Sequence, residues 1–170
     1  MMVCITGTPG TGKSVVSEIL RKKGYNVVLQ NDTAKDYIIC DDQKRDTAVI
    51  DEELWAEEFM PFEGIIEGHI THILPCDLVV ILRCRPDVLK KRLLKRGYSP
   101  EKVSENVMAE ALDVILIETL ECHTDDKVFE TDTTDINVED TAKEIEDFML
   151  GKILPSYGNT DWSEFLGTDI

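Results

Sequence analysis

The sequence predicts an α/β sandwich built on a mostly parallel sheet. Short apolar runs rich in β-branched residues, such as residues 64–68 and 77–83, are typical of central strands in such a sheet. Segments with apolar residues at helical spacing alternate with these runs along the chain. The length of 170 residues suits one domain with a buried core.

The first half of the chain predicts two strands and two helices. An apolar strand at residues 3–6 enters a glycine-rich loop, and the helix after that loop stops at Gly24. Residues 26–29 predict a second strand. The polar stretch 30–45 carries few structural signals, and the acidic residues 51–59 predict a second helix.

The second half predicts the rest of the sheet and its covering helices. We expect strands at 64–68, 77–83 and 127–131, and helices at 87–95, 101–122 and 138–150. These elements complete a domain of residues 1–150. Residues 151–170 form a C-terminal tail, either a docking peptide or, as we expect, a loosely packed terminus.

The chain is strongly acidic, with a formal net charge of −16. Such a surface repels nucleic-acid phosphates, so no direct nucleic-acid binding is expected. The same charge attracts a basic partner protein, or serves only solubility. No apolar run is long enough to cross a bilayer, so we expect no membrane partner and a cytoplasmic location.

Cysteine and histidine positions give little support for a metal centre. Five scattered cysteines without C-x-x-C spacing argue for reduced thiols and against a disulfide framework or a zinc site. His69 and His72 would form a zinc-binding pair only on a helix, and no third ligand is near them in the sequence. A core or capping role is the alternative for His72.

The stretch GTPGTGKS, residues 7–14, fits the phosphate-loop pattern G-x-x-x-x-G-K-[ST]. Glycines let successive backbone N–H groups face one anion, and the following helix adds the positive end of its dipole. In this pattern Lys13 reaches the β- and γ-phosphates from an exposed loop, and the Ser14 hydroxyl ligates Mg²⁺. The sequence therefore predicts a nucleoside triphosphate site. A short chain that lacks a guanine-reading motif indicates a kinase of nucleotides or of other small metabolites.

Two arginines predict a lid over that site. Arg92 and Arg96 lie four residues apart, on one side of a predicted helix and next to the short loop 97–100. Phosphoryl transfer needs cations on the transferring group, and a short loop carrying them suits a mobile lid. The alternative is a solvated basic face on an amphipathic helix.

Glu67 and His69 follow the third predicted strand. An acid at the end of an apolar strand can hold Mg²⁺ directly or through water. Residues two apart on a strand share a face, so Glu67 and His69 are expected to point together into the cleft at the carboxyl ends of the strands.

Together these features resemble the atypical adenylate kinase family of the isoenzyme 6 type, in its archaeal form. The resemblance covers about residues 3–120. It rests on ITGTPGTGKS, on DTAVIDEEL, on the acid-x-His pair and, most specifically, on LKRGYSPEKVSENVMAE after an ILR strand.

The resemblance implies a P-loop NTPase fold in which helices sandwich a five-stranded parallel sheet. It implies a segment that binds the nucleoside monophosphate at about 30–53 and a lid at about 95–105. The implied reaction is reversible transfer of the ATP γ-phosphate to AMP or another nucleoside monophosphate, with Mg²⁺ as cofactor. ATP hydrolysis, a basic small-subunit ribosomal protein as partner and a role in maturation of the small ribosomal subunit are implied as well.

The same resemblance assigns residues to roles. It places on ATP the residues Gly10, Gly12, Lys13, Ser14, Val15 and, from the lid, Arg96. Glu67 and His69 match the family's acid-x-His pair, with Glu67 as a second Mg²⁺ ligand. Two other functions stay open: an assembly ATPase with little kinase activity, and a kinase of another small metabolite.

This chain departs from the family pattern in two places. The family acid is often an aspartate followed by Tyr-His-Gly, whereas this sequence reads Glu67-Gly68-His69-Ile70. An ordinary adenylate kinase also has an arginine just after the third strand, and this chain has no cation there. The cations left upstream for a monophosphate are Lys35, Lys44 and Arg45.

Overall fold

A computed structural model describes residues 1–42 and 47–167 of the chain. Its centre is a five-stranded sheet in which all neighbouring strands are parallel, in the order β2-β5-β1-β6-β7. The predicted α/β fold with a five-stranded parallel sheet is confirmed. The strands of the described part are β1 Met2–Thr6, β2 Val27–Leu29, β3 Ile38–Asp42, β4 Thr47–Ile50, β5 Gly64–Glu67, β6 Leu78–Arg83 and β7 Val128–Asp132.

Helices cover both faces of this sheet. Their bounds in the described part are α1 Lys13–Lys22, α2 Gln30–Thr33, α3 Glu52–Glu58, α4 Pro86–Lys95, α5 Pro100–Ala111, α6 Val114–Cys122 and α7 Val138–Met149. Local chemistry sets several of the starting points. The side chains of Asp51, Ser99 and Asn137 each accept a backbone N–H in the first turn of α3, α5 and α7.

The core forms two apolar layers, one on each side of the sheet. Alternate residues of β1 point to opposite faces, so Met2 belongs to one layer and Val3 to the other. Trp55 of α3 and Leu116 of α6 pack in the first layer. The second layer contains apolar side chains of α1 and α7, among them Leu20, Ile145 and Phe148. These layers hold the carboxyl ends of β1 and β5 at one edge, where the phosphate loop begins.

The single helix predicted at 101–122 is wrong in one respect, because two helices occupy this region. The chain breaks between α5 and α6 at Asp113, which has a left-handed backbone with φ of 56°. No Gly or Pro marks this break, and Asp is one of the few other residues that adopt this conformation readily. The Asp113 carboxylate accepts a hydrogen bond from Arg83 at the end of β6. A long-range contact therefore accompanies a break that local sequence did not announce.

The stretch 30–45, which showed few structural signals, does contain ordered elements. Helix α2 opens it, a turn at Lys35–Tyr37 follows, and β3 then pairs with β4 in an antiparallel hairpin. This hairpin is a separate two-stranded sheet. Lys44 and Arg45, two of the three cations proposed from sequence, lie outside the described residues.

The C-terminal tail contacts the edge of the main sheet at Ser156, so the expected loose packing does not apply to that contact, while Leu154 and Leu166 are exposed. Ser156 forms a parallel bridge with Phe129 of β7, and the Ser156 backbone bonds to both Val128 and Glu130. The indole of Trp162 is buried. The sequence did not reveal this packing because the tail lacks a strand-like run.

One cysteine pair bears on the expectation of fully reduced thiols. Cys4 of β1 and Cys76, just before β6, lie side by side with a Cα–Cα distance of 6.0 Å, within the range that a disulfide spans. Because 72 positions separate them in the sequence, their spacing gave no sign of this contact. Cys40, Cys84 and Cys122 are free thiols. Among the described residues, no helix is long and apolar enough to cross a membrane.

Candidate functional site

The phosphate loop connects β1 to α1 at the carboxyl edge of the sheet. Gly7 has φ of 141°, and a Cβ there would collide with the backbone oxygen of Leu82 in β6. Gly10 has φ of 97°, and a Cβ there would approach the Leu89 side chain to 2.8 Å. Only glycine lets the loop lie this close to β6 and α4. Gly12 then caps α1, so the helix N-terminus faces the loop.

Lys13 is buried rather than exposed, which corrects the sequence expectation. Its Nζ atom donates hydrogen bonds to the carbonyl oxygens of Gly7, at 2.6 Å, and Thr8, at 3.1 Å. Burial lowers its pKa to about 8, and the carboxylates of Glu67 and Glu110 oppose this shift. The ammonium group thus lies inside the loop, in reach of an anion that the loop would bind.

Ser14 and Glu67 lie together, as the sequence predicted for a Mg²⁺ site. The Ser14 hydroxyl donates to Glu67 Oε1 at 3.3 Å, and both residues line a cavity of about 550 Å³. A hydroxyl and a carboxylate are hard oxygen donors, and Mg²⁺ at nucleotide sites typically uses one or two such protein groups together with phosphates and water. The pair therefore fits this ion.

The loop 68–70 carries His69 to the mouth of the cavity. The His69 carbonyl accepts a hydrogen bond from Thr6 Oγ1 at 3.1 Å, and Gln30 Oε1 accepts the Ile70 N–H at 3.1 Å. A side chain on residue 68 would collide with Gln30. The departure to Gly68 is therefore matched by Gln30, which fills that space.

The His69 ring opens onto the cavity, but the surrounding protein atoms exclude much of the water that would solvate the ring. This desolvation lowers the pKa to about 4, and the positive charge of Lys13 contributes to the same shift. The ring is neutral at pH 7. His69 also lines a second cavity, so it lies where two cavities meet.

The structure separates the two predicted lid arginines. Arg96 follows the last residue of α4, is exposed and lines the 550 Å³ cavity. Its guanidinium makes no hydrogen bond or ion pair with any other described residue, although its backbone N–H bonds to the carbonyls of Arg92 and Leu93. Arg92 is not brought to that cavity, because its guanidinium donates to the carbonyls of Thr133, at 2.9 Å, and Thr134, at 3.2 Å. One arginine of the pair therefore braces the loop after β7, and the other faces the site.

Val15 does not line the cavity either. Its side chain is exposed, and its backbone N–H bonds to the Gly12 carbonyl at 3.1 Å. Gly10, Gly12, Lys13 and Ser14 do line the cavity.

The second cavity has a volume of about 760 Å³ and adjoins the first. Residues shared by both linings are Pro9, Gln30, Asn31, His69 and Tyr98. Its other walls come from residues 34–38, residues 48–52, Ile70 and the part of α5 between Lys102 and Asn106. Lys35 lines it and forms an ion pair with Asp32 at 3.0 Å.

Sequence reasoning missed Lys102, which also lines this second cavity. Its ammonium lies 4.7 Å from the centre of the Tyr98 ring. The sequence did contain a signal, because Lys102 belongs to the RGYSPEK segment on which the resemblance rests. The positive charges assigned to the site from sequence were those of Arg92 and Arg96.

His72 is a core residue and not a metal ligand. Its Nδ1 lies 3.0 Å from Thr6 Oγ1, and its Nε2 lies 3.0 Å from Glu118 Oε2. Burial lowers its pKa to about 4, and nearby His123 adds to the shift; the exposed Glu118 carboxylate is too well solvated to reverse it. Within the described residues no cluster of His, Cys, Asp and Glu is suited to hold a metal ion by itself.

Comparison with known sequences decides the family. A family model described as an AAA domain matches residues 3–113. A protein of Archaeoglobus fulgidus named "Putative adenylate kinase" is 44% identical over 151 residues, which cover 89% of this chain and 83% of the relative. This chain belongs to the adenylate kinase family of these archaeal proteins. A member from Methanocaldococcus jannaschii with the same name is 39% identical, with 96% of this chain and 94% of the relative covered.

Solved structures resemble the family fold at low sequence identity. A deoxyadenosine kinase from M. mycoides, solved with dCMP and dCDP, has a TM-score of 0.58 at 20% identity, covering 90% of this chain and 100% of the other. Shikimate kinase from Acinetobacter baumannii has a TM-score of 0.58 at 14% identity, with coverages of 89% and 93%. At these identities the likeness concerns the fold, which is that of P-loop kinases.

Proposed function

We propose that the protein is a nucleoside monophosphate kinase that transfers the γ-phosphate of ATP reversibly to AMP or another nucleoside monophosphate. The observation that carries this proposal is the pair of adjoining cavities that meet at His69 and Tyr98. One contains the phosphate loop, and the other is lined by the stretch 30–52. A donor and an acceptor bound in the two would meet at the shared wall. The names of the archaeal relatives support the same reaction.

The chemistry is an in-line transfer between two phosphates. An oxygen of the acceptor's phosphate forms a bond to the γ-phosphorus while the bond to the β,γ-bridging oxygen breaks, which releases ADP and a nucleoside diphosphate. Lys13 and the loop N–H groups bind the β- and γ-phosphates, and Arg96 balances charge on the transferring group. Mg²⁺, when bound by Ser14 and Glu67, would neutralise phosphate charge. Glu67 and Ser14 thereby orient the triphosphate.

The second cavity suits a nucleotide acceptor. Apolar side chains of the hairpin β3–β4, including Ile38 and Val49, line it and are still exposed. A nucleobase would cover such a surface. The ammonium groups of Lys35 and Lys102 line the same cavity, together with the carboxylates of Glu52 and Glu105, and either ammonium would pair with a phosphate. The volume of about 760 Å³ is within the range of small-molecule sites.

An acceptor screen tests this proposal. ADP formation from ATP would be measured at fixed Mg²⁺ alone, with AMP and other nucleoside monophosphates, and with deoxyadenosine or shikimate. We expect monophosphates to raise the rate well above that of ATP alone. A rate raised only by a non-nucleotide acceptor would identify a kinase of another metabolite instead.

We propose in addition that the protein hydrolyses ATP, because the neutral His69 ring opens onto the junction of the cavities. There it would orient an attacking water. Water is a poorly positioned acceptor, so hydrolysis should need His69 more than phosphorylation of AMP does. His69→Ala should lower AMP-independent hydrolysis strongly and spare much of the kinase rate, whereas Glu67→Gln should lower both. Equal losses of both activities in His69→Ala would refute this division.

A basic small-subunit ribosomal protein is the partner we propose, with a role in maturation of that subunit. The net charge of −16 supports an electrostatic attraction. Such binding should weaken between low and physiological salt. Tight binding to naked ribosomal RNA, with no affinity for any small-subunit protein, would contradict the proposal.

A further inference from the structure

A buried carboxylate links the helix after the lid to the phosphate loop. Glu110 lies near the end of α5 and is 3% exposed. Its Oε2 accepts a hydrogen bond from the Thr8 hydroxyl at 2.5 Å. Its Oε1 accepts from Arg83 Nε at 2.8 Å and from the Cys84 N–H at 3.0 Å. Both carboxylate oxygens are therefore occupied, one by the loop and one by the end of β6.

Arg83, on the side of Glu110 that faces away from the phosphate loop, holds the Glu110 side chain in place. Burial alone would lower the pKa of Arg83, but the neighbouring carboxylates of Glu110 and Glu130 outweigh burial and raise it above its ordinary value. Arg83 also donates to the Glu110 carbonyl at 3.1 Å and to the side chains of Glu130 and Asp113. The carboxylate that receives the Thr8 hydroxyl is thus fixed by a buried, fully paired network.

Thr8 passes this constraint to the catalytic lysine. The Thr8 carbonyl accepts hydrogen bonds from Lys13 Nζ at 3.1 Å and from Thr11 Oγ1 at 2.9 Å. The Thr8 residue therefore has its hydroxyl tied to α5 and its carbonyl tied to the lysine. At the other end of α5, Lys102 and Asn106 line the second cavity, and Asn106 is one helical turn from Glu110.

We propose that Glu110 is a positioning residue for phosphoryl transfer. Through Thr8 it holds the phosphate loop and Lys13 in register with α5, the helix that forms one wall of the acceptor cavity. This role rests on the proposed kinase function and deepens it. Transfer requires donor and acceptor groups aligned to within about 1 Å, and a misplacement of that size costs up to about 10²-fold in rate. The Thr8–Glu110 hydrogen bond is the direct tie between the two walls.

The test distinguishes the effect of the Thr8 hydrogen-bond donor from the effect of the side chain's shape. Thr8→Val keeps the shape and removes the donor, whereas Thr8→Ser keeps the donor. Glu110→Gln removes the charge, and the double variant Thr8→Val/Glu110→Gln closes a double-mutant cycle. Thr119→Val is the matched control, because the buried Thr119 hydroxyl bonds only within its own helix, to the Ile115 carbonyl at 2.6 Å. Each variant would be assayed with and without AMP, well below its own Tm.

We expect Thr8→Val to lower kcat by about 10-fold or more while the KM for ATP changes little, because the loss is in alignment and not in binding. Thr8→Ser, which keeps the donor, should recover most of the kcat that Thr8→Val loses, and Thr119→Val should stay near the wild-type kcat. In the Glu110→Gln background, Thr8→Val should cost less than it does alone.

Three results would overturn the inference: an unchanged kcat with only a lower Tm in Thr8→Val, equal losses in Thr8→Ser and Thr8→Val, or strictly additive effects in the cycle. Failure of the kinase proposal would look different, as wild-type ATP turnover that AMP does not raise. The variants would then be compared in ATP hydrolysis, which also needs Lys13. A wild-type chain with no ATP turnover in either assay would overturn both ideas.

Discussion

The cavities that we propose for the donor and for the acceptor, named the donor cavity and the acceptor cavity, share a wall but differ in how their other walls are built. The donor cavity is formed by a loop between β1 and α1, which the five-stranded sheet holds from below. Buried polar groups such as Thr8, Glu67 and Glu110 surround this loop. The acceptor cavity instead uses a separate two-stranded hairpin, in which Ile38 is 46% exposed and Val49 is 42% exposed.

This difference indicates which cavity depends on its substrate for a well-packed structure. The side chains of Thr8, Thr11 and Lys13 in the donor loop are hydrogen-bonded before any nucleotide binds, so the geometry of the loop is set by folding. The exposed apolar side chains of the acceptor hairpin gain burial only when an acceptor covers them. Donor-side substitutions should therefore act mainly on kcat, and acceptor-side substitutions mainly on the KM of the acceptor.

The largest effect should come from Lys13, the centre of the donor side. Lys13→Ala should reduce ATP turnover to background, because no other described donor-side lysine reaches the loop interior, where the β- and γ-phosphates would bind. The fold should survive, since Lys13 lies in the phosphate loop and belongs to neither apolar layer of the core. Circular dichroism would confirm folding, and near-normal turnover would refute the phosphate-loop assignment.

Arg96 should be next in effect, although its side chain is exposed. Arg96→Ala should lower kcat by about 10³-fold, as for other arginines that stabilise a transferring phosphoryl group, with a smaller change in ATP binding. Lys95→Ala is the matched control, because this neighbouring exposed cation does not line the cavity. Similar small effects in both variants would favour the solvated basic face.

On the acceptor side, Lys102→Met should raise the KM for AMP by about 10-fold to 100-fold, the loss of a charge-assisted hydrogen bond to its phosphate. The KM for ATP should change little. Lys102→Arg should recover part of the affinity. If the KM for ATP rose as much as that for AMP, Lys102 would belong to the donor side and the contrast between the cavities would weaken.

The features that could be predicted from the sequence lie mainly on the donor side. The sequence placed Gly10, Gly12, Lys13 and Ser14 at the cavity because the phosphate loop is a contiguous pattern with local strand and helix flanks. Glu67 was accessible in another way, as the acid that ends an apolar strand. The fold was predictable for a similar reason, since alternating strands and helices restrict the topology.

What could not be predicted depends on contacts distant in sequence. The break at Asp113, the Cys4–Cys76 pair and the packing of Ser156 on β7 each join segments that only the folded sheet brings together. Arg92 shows the same limit at the site. Its spacing from Arg96 placed both on one helix face, but the carbonyls of Thr133 and Thr134 engage Arg92 from the far edge of the sheet.

The smallest expected effect concerns stability and the buried His72 under the donor loop. Its pKa is about 4, against 6.5 in the unfolded chain, so the unfolded state binds the proton first as the pH falls. Its neutral ring should therefore cost stability below pH about 6.5, by about 2 kcal/mol at pH 5. Urea unfolding at pH 7.5 and 5 would measure this loss. His72→Asn should show a smaller loss, and an equal loss would place the acid sensitivity elsewhere.

The central claim, that two adjoining cavities bring a triphosphate and a monophosphate together, is tested most directly by following a radiolabelled γ-phosphate from ATP in the presence of AMP and Mg²⁺. The account predicts that the label appears as the β-phosphate of newly formed ADP, faster than it appears as inorganic phosphate. It also predicts that Lys102→Met slows transfer at low AMP while leaving release of inorganic phosphate nearly unchanged. Label found only in inorganic phosphate, at a rate that AMP does not alter, would contradict the account.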